Sequence, residues 1–170
     1  MILTTSELIA SLRNEYRILI HLAGKIEPSM IDYRPTPKQR STIELLRYLS
    51  MMGPLMIQYG LPSGTGFDRE AWGAAAKAAG ERDLAQTVAV LGAEGDACAA
   101  LLDGVADEVF RTEMIGFDGS TTTRGSYMVN SVLGGLIAYR TQLFLYLKSC
   151  GREELNTSNL WRGADPPAAS

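Results

Sequence analysis

The chain has little of the chemistry from which most catalytic sites are assembled. It contains one histidine, His21, and two cysteines, Cys98 and Cys150, which stand far apart and form no CxxC pair. A single imidazole excludes a multi-histidine metal site, and no Ser-His-Asp arrangement can be assembled around it. Two isolated thiols exclude a disulfide scaffold and read as small core residues in a reducing compartment, since a reactive thiol needs a nearby base or helix N-terminus. A basic surplus is also lacking: 16 Lys and Arg against 19 Asp and Glu leave a formal charge of −3. A general nucleic-acid or anionic-membrane binder needs positive charge to displace counterions, so neither partner is expected. Long uncharged apolar runs are missing too. Glu7, Arg13, Glu15 and Arg17 interrupt the apolar pattern of the first 22 residues, which argues against a signal peptide, and nothing reads as a membrane span. A cytoplasmic protein is the expectation.

What is present is an ordinary globular composition, with 46% hydrophobic and 21% charged residues in 170. A chain of this length buries roughly 70% of the surface its unfolded form exposes, enough for one core without staples. We expect one domain over residues 1–165 and a mobile tail, PPAAS, at 166–170. Leu8, Leu12, Tyr16, Leu19, Ala23 and Ile26 recur at three- and four-residue steps behind the hydroxyls of Thr4, Thr5 and Ser6, predicting a first helix that stops before Pro28. His21 falls about 140° from that stripe, at 100° per residue, and reads as peripheral. Residues 28–37 hold three prolines and read as a loop, in which Asp32 and Arg34 are loop stabilisers.

Ser41, three residues before Glu44, has capping-box spacing, and Leu45, Leu49, Met52, Met56 and Tyr59 carry a second helix. Gly53-Pro54 predicts a kink or short break within it. A short helix anchored by Trp72 is expected over 68–79 and a third long helix over 82–102. Residues 104–125 read as a connector with little regular structure, and 126–150 as the last helix with Gly151 as its C-cap. In the tail, Trp161 is the expected anchor. Four substantial helices without strands specify an all-α four-helix bundle with a long connection between helices two and three. The glycine and hydroxyl run at 119–126 lacks the spacing and lysine of a phosphate-binding loop. Lys38, Arg40 and Arg47 form a local basic cluster that reads as a solvated face, and Asn130 as a hydrogen-bonding residue across the bundle.

The segments DYRPTPKQRSTIELLRYL and TTTRGSYMVNSVLGGLIAYRTQLFLYLKSCG resemble the DinB-like (DinB/YfiT) superfamily of bacterial four-helix bundles. The resemblance implies a divalent metal held by three histidines, one from helix two and two from helix four. It also implies a relation to enzymes that are thiol-dependent transferases or isomerases. Ser41, Glu44 and Leu45 match the helix-two pattern and put Tyr48 at the first ligand position. Arg140 matches the helix-four arginine and puts Gly135 and Tyr139 at the other two. Neutral phenols are poor ligands and glycine offers none, so no metal or other cofactor is expected. Helical wheels align Tyr48 with Leu45, Met52 and Leu55, and Tyr139 with Gly135, Gln142 and Tyr146. Tyr48, Met52, Gly135, Tyr139 and Gln142 are therefore the candidate ligand-binding set. Two readings stand open for the tyrosines: core filling with satisfied hydroxyls, or the wall of a small-molecule pocket.

The function expected is that of a metal-free bundle that binds a small molecule or has a structural role. The alternative is a transferase or isomerase of a low-molecular-weight thiol using the same cavity. A symmetric homodimer is also expected, because Ile9, Ile18, Ile20 and Leu22 extend the apolar surface of helix one beyond a single buried stripe.

Overall fold

A computed structural model describes residues 3–63 and 66–167. Four long helices form the bundle. The first, α1 (Thr5–Ala23), opens with a capping box: the Thr4 hydroxyl accepts from Glu7 N–H, and the Glu7 carboxylate accepts from Thr4 N–H. It ends a turn before the proline loop, at Ala23, so Ile26 lies outside the helix. A single 3-10 turn, Pro28–Met30, seats the buried Met30. The second long helix, α2 (Thr42–Gly60), is capped by the Ser41–Glu44 pair in the spacing read from sequence.

Gly53-Pro54 does not break α2. Two later helices, α4 (Leu84–Leu102) and α7 (Gly134–Ser149), pack along it and hold the helix in register, while the bare Cα of Gly53 leaves room for the Tyr16 ring and the Cys98 sulfur. Asp68 caps the short α3 (Arg69–Gly80), which lies on α2, and Asp83 caps α4 (Leu84–Leu102) through a reciprocal bond with Gln86. Both α1 and α2 pack on α4 and on α7 (Gly134–Ser149), and the core of leucines and methionines lies among these four.

The segment 104–125 is more ordered than its composition suggests. A short helix, α5 (Asp107–Thr112), leads into the antiparallel hairpin β1 (Met114–Phe117) and β2 (Ser120–Thr123), with Met114 opposite Thr123 and Phe117 opposite Ser120. Asp118 and Gly119 form its two-residue turn, with φ of 51° and 76°. An Asp-Gly pair is the residue choice such a turn requires, because both positions need positive φ. Thr123 then caps α6 (Arg124–Tyr127), which continues through a π turn (Met128–Leu133) into α7. The last helix of the sequence reading is thus one rod with a widened turn ahead of Gly134-Gly135. Gly151, at φ 98°, closes it, and Arg152 N–H returns to the Leu147 carbonyl.

The C-terminal segment corrects two expectations, those for Trp161 and His21. Its π turn (Ser158–Arg162) lies along α1. Gly163 lies so close to Ile18 that a Cβ there would fall 2.9 Å from the Ile18 Cα. Ile18 and Leu22 are fully buried within the single chain, while Ile9 and Ile20, the other two apolar residues beyond the main stripe of α1, are only partly buried. Trp161 is 63% exposed and anchors nothing by burial; Leu155 and Asn159 hold the segment instead. His21 is covered rather than solvated. Its Nε2 is 3.1 Å from the Asn159 amide nitrogen and 3.8 Å from Asp165, and burial lowers its pKa, assisted by nearby Lys25. Of the expected tail, Pro166 and Pro167 are exposed without regular structure, and residues 168–170 lie outside the described residues. No helix is long and apolar enough, among the described residues, to cross a membrane.

Beneath this segment lies a buried ion pair. Arg140 Nε on α7 stands 3.0 Å from Glu15 Oε2 on α1, and the guanidinium also donates to the Leu160 carbonyl, with the Trp161 ring 5.3 Å away.

Candidate functional site

Tyr48 leaves α2 four residues after Glu44 and one turn before Met52, so both it and Met52 face α7. Tyr139 meets Tyr48 edge to face, with ring centroids 5.1 Å apart and planes at 70°. One turn earlier on α7, Gly135 faces Met52: a Cβ on Gly135 would lie 2.9 Å from the Met52 methyl carbon. Three of the four side-chain positions converge on one spot, and the Met52 tip occupies the room that glycine vacates. Gln142 joins this group only indirectly, since its amide donates to the Tyr146 hydroxyl, which donates to the Arg40 carbonyl at 3.0 Å.

Burial, and then the neighbouring Tyr139 phenol, push Tyr48 up to about 12. The phenol therefore stays protonated at any physiological pH, a poor metal ligand and a poor base. With a neutral phenol, a glycine and a second phenol at the three positions, the residues present do not fit a divalent metal. Among the described residues, no three His, Cys, Asp or Glu side chains converge elsewhere to hold one. The thiols are not activated either. Burial raises Cys150, and burial with the nearby Glu94 pushes Cys98 up to about 12.

Outward from Tyr48 the surface opens. A cleft of about 540 Å³ lies between α2 and α3, with Tyr48, Met51 and Trp72 as apolar and aromatic walls. Trp72 stands 6.1 Å from Tyr48 at 60°. Ala76, Ala79 and Gly80 keep the α3 side low. Three charged residues complete the lining. The Arg40 guanidinium lies over the Tyr48 ring at 4.0 Å. Arg47 donates through two nitrogens to the Arg82 carbonyl, which fixes its guanidinium in the wall. Glu44 is fully engaged: one oxygen takes Arg34 at 3.0 Å and the other takes Ser41 N–H at 2.8 Å, so its pKa is held below the usual carboxylate value.

Arg40 and Arg47 are therefore more than the solvated face read from sequence. Arg40 precedes the helix cap and has no periodic relation to Tyr48; the capped chain turn brings it back over the ring. Trp72 belongs to a different element, so no spacing could have linked it to Tyr48. Asn130 is exposed and lies on another cleft, between α1, α5 and the π turn, rather than bonding across the bundle.

A second titratable group lies inside the bundle, away from this cleft. Glu94 on α4 is 9% exposed, with one carboxylate oxygen lacking a hydrogen-bond partner among the described residues; burial pushes it up to about 7, opposed by Arg82. Tyr16 and Cys98 adjoin it, and burial raises the Tyr16 phenol as well.

Comparison with solved structures finds the same architecture in a DinB-like protein, YjoA, from Bacillus subtilis. The two chains superpose with a TM-score of 0.63 over 88% of this chain and 95% of that one, at 17% sequence identity. At that identity the likeness establishes a shared DinB-like fold. No family model and no curated protein matches the sequence.

Proposed function

We propose that this DinB-like bundle is a metal-independent small-molecule binding protein. Its site is the face of α2 and α7 built from Tyr48, Met52, Gly135, Tyr139 and Gln142, opening into the cleft beside α3. The observation that carries the reading is the packing at the three inner positions: the Tyr48 and Tyr139 rings and the Met52 methyl fill the space where the family resemblance implies a metal and its imidazoles, while the volume outside Tyr48 stays open. Packed aromatic walls with a few fixed polar groups are the usual make-up of a ligand pocket. Thiol transfer has less support, because the Tyr48 phenol is pushed up and the Glu44 carboxyl held down, both away from the neutral range that a general base for thiol activation would need. The test is elemental analysis of protein purified without a polyhistidine tag, followed by thermal-shift measurements with divalent metals, low-molecular-weight thiols and small organic anions. Selective ligands of the native state raise its melting temperature. Organic anions should stabilise and metals should not. Stoichiometric metal lost on mutation of Tyr48 or Tyr139 would overturn the proposal.

A further inference from the structure

The cleft beside Tyr48 has an unbalanced charge. Its one carboxylate, Glu44, is spent on Arg34 and on the Ser41 amide, as the geometry above shows. Of its two guanidinium groups, Arg47 is committed through two nitrogens to a backbone carbonyl. Arg40 is not committed. Its guanidinium carbon lies 4.0 Å from the centre of the Tyr48 ring, and its N–H groups make no hydrogen bond or ion pair with any described residue. Stacking on an aromatic ring restricts a guanidinium without using its in-plane donors, so less rotamer freedom remains to be lost when an anion arrives. In a chain of net charge −3, two arginines beside a neutralised acid make a local positive site.

We infer that this cleft takes a small planar aromatic carboxylate, the carboxylate on the free fork of Arg40 and the ring against Trp72. The inference rests on the small-molecule reading above and specifies its ligand class. A carboxylate suits the site because its two oxygens match one guanidinium fork in a bidentate pair. A phosphate, with more charge and more acceptor atoms, would leave oxygens unmet where Arg47 is already bonded. A planar ring suits it because Tyr48 and Trp72 offer aromatic surface, and Ala76 and Gly80 leave width opposite. The cleft volume of about 540 Å³ accommodates a ligand of one or two rings.

The sequence holds two tryptophans, so Trp161→Phe leaves Trp72 as the only indole reporter, at the proposed ring site. Benzoate, benzyl alcohol and cyclohexanecarboxylate are titrated against this variant, with Trp72 emission and ligand-observed NMR as readouts. Benzoate should bind about tenfold more tightly than either control, one lacking the charge and the other the planar ring. Arg40→Gln, at an exposed position, should cut benzoate affinity about tenfold and leave benzyl alcohol unchanged. Trp72→Leu, read by NMR, should weaken benzoate while sparing cyclohexanecarboxylate. Benzyl alcohol binding as tightly as benzoate, or indifference to Arg40→Gln in a variant with unchanged melting temperature, overturns the carboxylate assignment and leaves the small-molecule reading standing. If none of the three probes binds, the cleft is not an aromatic site; the metal-independent reading is then judged by elemental analysis alone.

Discussion

Replacing Arg140 by methionine tests how the C-terminal segment and the bundle are joined. The Arg140 side chain is 2% exposed and that of Glu15 is 9% exposed, with nitrogen and oxygen 3.0 Å apart. Removing one partner of a buried pair leaves the other charge without compensation, at a cost of about 3–5 kcal/mol. For a domain of this size each kcal/mol lowers the melting temperature by roughly 2–4 °C, so a loss on the order of 10 °C is expected at pH 7. The pH dependence has a definite sign. Burial already holds the Glu15 pKa above its ordinary value although Arg140 pulls it down, and removing Arg140 raises it further. A carboxyl whose folded pKa exceeds its unfolded value near 4.3 favours folding in its protonated form. Arg140→Met should therefore regain stability as the pH falls from 7 towards 5, relative to the native sequence. Glu15→Gln in the same chain should remove that slope. The Leu160 carbonyl also loses its guanidinium donor, so whatever loss remains in the double variant measures the attachment of the 158–162 turn. Thermal melts of the three proteins across pH decide the matter. An Arg140→Met protein within about 1 kcal/mol of the original, with an unchanged pH profile, would refute the argument.

Glu94→Gln should stabilise the protein above pH 7. With its folded pKa near 7 against an ordinary 4.5, the stability that goes with protonation is complete below about 4.5 and lost between there and 7, so the glutamine variant should show a flatter melting profile across that window. Ile18→Glu places an unpaired charge at a fully buried position and should abolish cooperative folding by circular dichroism; a folded variant of lowered mass in light scattering would instead support α1 as an assembly face. The combination Tyr48→His, Gly135→His and Tyr139→His, made with Met52→Ala to clear the methyl that crowds Gly135, should create zinc or nickel affinity measurable by calorimetry. A folded variant without it would show that the three positions do not converge as ligands.

Much of this protein is determined locally. The Ser41–Glu44 and Thr4–Glu7 caps, the apolar stripes of the four long helices and the glycine that ends α7 are legible because each depends on residues within a turn of one another. The Asp118-Gly119 hairpin is equally local, but its two-residue turn sits in a run of polar residues with no alternating apolar pattern to mark the strands. That residues 48, 135 and 139 are Tyr, Gly and Tyr rather than the histidines the resemblance implies is read directly from the chain. Burial across elements is different, since it depends on what returns from far along the chain. The return of residues 158–163 onto α1 packs Gly163 against Ile18, and it covers His21. The turn into α2 lays Arg40 on Tyr48, and α3 brings Trp72 beside them, so the charged, aromatic character of the cleft is a product of tertiary packing. Periodicity reports which face of a helix is apolar; only the packed chain decides what covers that face, because the covering residues share no sequence spacing with the residues they cover.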